Sequence, residues 1–273
     1  PSTMPRLLQR LPPALHHPDF AVYWLGSVLS SLGSQFTTIA MAWQMYELTN
    51  STFEVGILGL ARALPQIAMA LFGGLLADLI DRRRLMLALQ VLQWATSSSL
   101  AALAALGLST PEALYAAATV LALAGAVEQP ARGAAVPNLV PRPHMTSAIA
   151  LNMVQRHTAA IVGPSLAGLT LAFAGPVWCY AADAASWLAM VAALAGIRTP
   201  LQTGGPGGGW SLETVLAGAR FVITQPVIFW FMVLDFGATL FGSPNALLPV
   251  FARDLLQVGP TGLGVLYAAI AVG

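Results

Sequence analysis

The sequence predicts an all-α polytopic membrane protein, and three observations predict it. Apolar residues make up 57% of the 273 and charged residues 8%, against about 25% charged in an ordinary soluble domain. The mean hydropathy is +0.73. Mostly apolar runs of about 20 residues or more, the length that crosses a hydrocarbon core of ~30 Å, recur between short segments rich in Arg, Pro and Gly. All 12 basic residues are Arg, the usage of a GC-rich bacterial gene. They are scattered through short loops, so the net charge of +1 gives no nucleic-acid face. Cys179 is the single cysteine and leaves no disulfide within the chain. The first apolar segment is too long for a cleavable signal and has no small-residue cleavage site. Metal-ligand spacings and a P-loop are both missing from the sequence, so no cofactor and no ATP-driven pumping are expected.

Residues 1–19 are Pro-rich and weakly basic, which places the N-terminus inside. Asp19 is positioned to cap helix 1, read from Phe20 to Tyr46. Within it Ser27, Ser31, Ser34 and Thr38 share one helical face. With Gln35 they form either the wall of an aqueous cavity or a tight packing seam. The 47–54 connection has no Arg and is external; Ser51 and Glu54 form a capping box for helix 2. Helix 2 carries Arg62 and descends to Asp78 and the arginines 82–84, which cost too much to translocate and stay inside. Helix 3 runs from Leu85 to Leu106, and Pro111 opens helix 4 at its first position. Helix 4 closes at Glu128-Gln129-Pro130, which puts Glu128 at the membrane edge and Arg132 in an internal loop. Helix 5, Met145 to Ala174, carries Asn152, Arg156 and the run Gly163-Pro164-Ser165-Leu166-Ala167-Gly168. Helix 6 starts at Pro176 and holds Asp183 and Ser186.

The organisation that follows is a cytoplasmic segment 1–19, a six-helix unit 20–198, a Gly-rich cytoplasmic linker 199–210 and a second unit from 211 onward. The second unit has a surface helix at 211–222, helix 7 from Pro226 to Phe251 kinked at Pro244, and a helix 8 from Pro260. Helix 8 reaches Gly273 after about 14 residues, too few to span, so a longer chain is expected. Nine arginines fall in loops read as internal, Arg253 is external, and Arg62 and Arg156 are within the membrane.

Arg62, Arg156, Asp183 and Asp235 all lie near the bilayer midplane. Each would cost about 2.5–3.5 kcal/mol facing lipid on the insertion scale. They are therefore paired or line a wet cavity. Pairing is the plain reading for Arg62 and Asp183, and a cavity role, including a proton on Asp235, for the other two. Gly163-Pro164-Ser165-Leu166-Ala167 approaches the hydrolase pattern G-x-S-x-G. Its last Gly is absent and the nearest imidazole, His157, sits on the same helix, so no enzyme is expected.

The stretch Gly74-Leu75-Leu76-Ala77-Asp78, followed by Asp81, Arg82 and Arg83, resembles the loop between helices 2 and 3 of the major facilitator superfamily. Leu79 and Asp81 depart from its G-x-L-A-D-R-x-G-R-R/K pattern. Gly163-Pro164-x-x-Ala167-Gly168 is similar to the helix-5 signature of that superfamily's antiporters. His17-Pro18-Asp19-Phe20, Pro130-Ala131-Arg132 and Asp183-Ala184-Ala185-Ser186-Trp187 extend the likeness to a branch of siderophore exporters and drug:proton antiporters. The resemblance implies twelve helices in two halves, each of inverted three-helix repeats. It implies a monomeric secondary transporter of the bacterial inner membrane. Such a protein exports an amphipathic small molecule in exchange for protons by alternating access, with Asp78 and its neighbours closing the cytoplasmic side. A lysophospholipid-handling or uncoupled protein of the same fold is the alternative. No acidic residue inside helix 1 and no Arg in helix 4 keep it open.

Overall fold

The computed structural model describes residues 12–79, 81–201, 220–221, 223–242 and 247–272. Arg6 and Arg10, nearly all of the Gly-rich linker and the surface segment, and Pro244 lie outside them. Six long helices come first: α1 (Pro18–Thr49), α2 (Thr52–Leu79), α3 (Arg82–Ala105), α4 (Pro111–Leu139), α5 (Met145–Ala174) and α6 (Pro176–Gly196). After them come α7 (Pro226–Gly242), a helical turn Leu248–Val250 continuing into a π-turn Phe251–Leu255, and α8 (Gly259–Val272). The first five have 32, 28, 24, 29 and 30 residues. At 1.5 Å per residue that is about 36–48 Å, more than a bilayer core.

The ends of the helices have local causes. Thr110 Oγ1 accepts from Ala113 N at 3.3 Å ahead of Pro111, and Ser51 Oγ accepts from Glu54 N at 3.4 Å. Asp81 Oδ1 accepts from Arg84 N at 2.9 Å, so Asp81 is the N-cap of α3 rather than a partner for arginine side chains. Asn50 ends α1 with φ 49°, and Gly175, with φ 81°, turns the chain between α5 and α6. Asp19 does not cap α1. Its Oδ2 accepts from Thr199 N at 2.9 Å and Thr199 Oγ1 at 2.5 Å, tying the start of α1 to the segment after α6.

One further expectation is corrected. The fourth helix continues through Pro130 and Pro137 to Leu139, because Ala131, Ala135, Val136 and Leu139 on its far part are buried. A proline removes one hydrogen bond, and packing on both sides of it outweighs that loss. Helices α2 and α5 likewise run unbroken through Pro65 and Pro164. The expected helix 7, Pro226 to Phe251 with a kink at Pro244, is described as Pro226–Gly242 and Leu248–Val250, and its kink lies outside the described residues.

In the bundle α1 packs along α6 and α5, α3 lies on α6, α2 on α4, and α8 on α5. The α1–α6 crossing is close enough that a Cβ at Gly33 would stand 2.0 Å from Ser186 Oγ. Two separate apolar clusters form. One gathers Ile39, Met41, Met45, Tyr46, Leu114 and Tyr180 with Leu248 and Leu263. The other gathers Phe20, Tyr23, Leu85, Met86, Leu139, Met190 and Leu194. A polar layer lies between them.

Candidate functional site: a polar cavity inside the bundle

The polar layer surrounds a cavity of about 230 Å³. Ser30, Ser31, Ser34, Thr37 and Thr38 face it from α1, and Arg62 and Gln66 from α2. Gln93 enters from α3, Glu128, Gln129 and Arg132 from α4, and Asp183 and Trp187 from α6. A second cavity of about 180 Å³ adjoins it through Ser31, Gln129 and Arg132, and is lined in addition by Ser27, Asn152, Gln155 and Arg156. The serine stripe of α1 is therefore a cavity wall. Its neighbour Gln35 lines neither cavity: a Cβ at Gly163 would stand 2.6 Å from Gln35 Cγ, so this side chain fills the gap left by that glycine. Gln35 packs α1 against α5.

Asp183 is 1% exposed. Its Oδ2 accepts from Thr37 Oγ1 of α1 and Ser97 Oγ of α3, both at 2.7 Å. Its Oδ1 and the Nε1 of Trp187, one turn on, are buried without a hydrogen-bond partner. Glu128 is the second buried carboxylate, at 3% exposure. It accepts from Gln90 Nε2, from Gln93 Nε2 at 2.7 Å and from Arg132 Nε at 2.5 Å. Arg132 also donates to Ser30 Oγ at 3.2 Å. Reading Pro130 as a stop misses this cluster. The signal was present, since Glu128 and Arg132 are spaced i, i+4, the separation of a helical ion pair.

Arg62 donates to Thr38 Oγ1 at 3.0 Å. It meets no carboxylate among the described residues, and Asp183 is held by hydroxyls, so neither takes part in an ion pair there. Asp235 is exposed on α7 and Arg156 is exposed where it lines the second cavity. Equal depth did not bring the four charges together. In the arginine loop Arg82 Nη1 donates to Ala134 O at 3.3 Å and Arg83 Nη2 to Ala195 O at 2.8 Å, near the ends of α4 and α6. Gly74 and Asp78 lie on the last turns of α2, where the surroundings of the side chains are outside the described residues. Ser165 Oγ donates to Ile161 O at 3.4 Å, an ordinary contact within α5.

At the other end of the bundle the turn after α7 meets α1, and α8 packs on α5. The Tyr46 hydroxyl donates to Asp254 Oδ2. The Arg253 guanidinium stands 5.3 Å from the centre of the Tyr46 ring and donates to Tyr46 O at 3.4 Å. Gly168 of the helix-5 motif receives the backbone of α8: a Cβ there would lie 2.6 Å from Pro260 O and 2.9 Å from Gly264 Cα. A Cβ at Gly264 would lie 2.4 Å from Pro164 O.

Six long helices around a polar, charge-bearing cavity, with further helices packed on their ends, define a membrane protein of the major facilitator fold. A solved structure titled as a bacterial homologue of the human lysosomal transporter Spinster, inward-facing and unoccupied, superposes with a TM-score of 0.70. It is 15% identical, over 95% of this chain and 60% of that one. The chain belongs to the family of transmembrane secretion effectors, which matches residues 11–273. It is 28% identical to the enterobactin exporter of Shigella boydii serotype 18, over 94% of this chain and 61% of that protein. It is 27% identical to the enterobactin exporters of Escherichia coli O1:K1 and O157:H7 over the same shares. The chain thus spans about three-fifths of the length of these relatives.

Proposed function

We propose that this chain serves secondary active export: outward movement of an amphipathic small molecule, a siderophore or drug, in exchange for protons by alternating access. One observation carries the reading. Two carboxylates, Asp183 and Glu128, sit in a polar cavity between two apolar clusters, and most of their partners are uncharged. Hydroxyls and amides of this kind serve either protonation state. The Oε1 of Gln90 is buried and without a partner beside Glu128. Turning that amide over would offer an acceptor to a protonated Glu128, since the two ends of an amide exchange donor for acceptor.

Arg132 lies on α4 and not in a loop, which removes one of the two grounds for the lipid-handling alternative. The positive-inside rule places Arg82–Arg84, the N-terminus and the 199–210 linker at the cytoplasmic face of the bacterial inner membrane. The transporter is read as a monomer. The test uses the full-length protein in proteoliposomes with an imposed pH gradient. Glu128→Gln and Asp183→Asn are each expected to retain downhill substrate exchange, and at least one to lose gradient-driven accumulation by tenfold or more. Undiminished accumulation in both variants would remove proton coupling from this site.

A further inference from the structure

Among the described residues, Arg62 is a cation that faces the cavity without a counter-ion. The other charges of that cavity have partners of their own. Arg132 is held by Glu128, and Asp183 takes the hydroxyls of Thr37 and Ser97 on its Oδ2. A guanidinium carries five N–H donors, and a single hydrogen bond to the described residues is made by Arg62, to Thr38 Oγ1 at 3.0 Å. The Thr38 hydroxyl spends its own proton on Ser34 O at 2.8 Å. Its lone pairs therefore point at Arg62, and Thr38 orients the cation instead of neutralising it. The ionisable group that faces Arg62 from α8 is the phenol of Tyr267, which is no anion at neutral pH. Gln66, one turn along α2, adds an uncharged amide to the same wall, and Met41, Leu121 and Ala122 add an apolar one. The adjoining cavity repeats the sign, with Arg156 on its wall.

We propose that Arg62, oriented by Thr38, is the subsite for the anionic group of the transported molecule, a carboxylate, sulfonate or phenolate, whose apolar body lies along Met41 and Leu121. The substrate class is thus an organic anion. A planar fork of N–H donors suits any such oxyanion, and the surrounding protein, less polarisable than bulk water, strengthens the attraction. This inference rests on the transport reading above, but binding tests it without any gradient.

The experiment measures equilibrium binding to the full-length protein in lipid nanodiscs, read by quenching of tryptophan fluorescence, with Trp187 on the cavity wall. Three compounds with one naphthalene ring are compared: the sulfonate, the uncharged methanol derivative and the trimethylammonium cation. The wild type is expected to bind the sulfonate at least tenfold more tightly than the cation. Arg62→Gln should remove that preference and leave the neutral compound unchanged, while Arg62→Lys should keep much of it. Should Arg62→Gln fail to fold, Thr38→Val takes its place. It keeps the charge and removes the orienting contact, and should weaken the sulfonate severalfold without affecting the neutral ring. The inference is overturned if the wild type prefers the cation or binds none of the three. It is also overturned if the preference survives Arg62→Gln, or if Thr38→Val leaves sulfonate affinity unchanged. Anion binding that persists while gradient-driven transport is absent would sink the export reading and leave the subsite standing.

Discussion

Removing one oxygen atom from Tyr46 should loosen the contact between α1 and the turn after α7. The Tyr46 hydroxyl bonds the carboxylate of Asp254, which joins α1 to the turn that follows α7. A hydrogen bond to a charged group contributes about 1.5–3 kcal/mol net. Asp254 is exposed, so the lower end applies. Tyr46→Phe keeps the ring on which Arg253 stacks and the carbonyl to which it donates, and so isolates the hydroxyl. A loss of about 1.4 kcal/mol changes the ratio of closed to open states about tenfold. A conformer that is nine-tenths closed would become roughly half open by the same arithmetic. Cysteines at the exposed positions Leu48 and Leu256, introduced after replacement of Cys179, carry spin labels on the two sides of the contact. In the full-length protein, Tyr46→Phe should add a long-distance population that the wild type lacks. An unchanged distance distribution would show that Tyr46–Asp254 is an incidental contact and that α5–α8 packing alone holds this end.

Three other outcomes are expected. Gly168→Val should push α8 off α5 and lengthen the same label distance, because even a Cβ would stand 2.6 Å from Pro260 O; overpacking of this kind costs about 1–3 kcal/mol. Gly163→Ala would set its Cβ 2.6 Å from Gln35 Cγ and 2.8 Å from Gln35 Cβ, so α1 and not α8 must give way; it should lower the Tm, and an unchanged Tm would refute that reading. The imidazoles of His17 and His144 meet at 2.9 Å before α1, and burial, then His144 and His16, hold His17 below its ordinary value of 6.5. The native state thus favours neutral His17: its contribution is complete above that ordinary value and is lost as pH falls through the lowered one. The wild-type Tm should consequently drop more than that of His17→Gln between about pH 7.5 and pH 5.5, and parallel Tm curves would exclude the pair as the cause.

Much of the helical frame was legible because its signals are local. Pro111, Pro176 and Ser51 mark starts that depend on neighbours a few residues away, and the structure keeps all three. The capping box is half made, because the Glu54 carboxylate accepts from the Tyr115 hydroxyl and not from Ser51 N. The serine stripe was legible as a face. A helical face is broad, however, and periodicity could not separate Ser31 and Ser34, which meet the cavity, from Gln35, which meets Gly163. The charges show the same limit. Sequence spacing gives depth along a helix axis, whereas pairing also needs the rotation of each helix and its neighbours. That is why Asp183 is held by Thr37 and Ser97 and not by Arg62. Glu128 was lost for a different reason: a local rule about proline was applied where buried flanks overrode it.

The partners of the two carboxylates bear on how a proton would be coupled to movement. Asp183 belongs to α6, yet its hydroxyl donors come from α1 and α3. Glu128 belongs to α4, yet both of its amide donors come from α3. Neither site is built by one helix, so neither can stay unchanged when helices shift relative to one another. Linkage then works in both directions: if helix movement alters how well the charged form is held, protonation must bias helix position by the same free energy. Helix α3 supplies donors to both sites and is the element through which they would sense each other. On the export reading, the proton is coupled through the packing of α3 between α4 and α6.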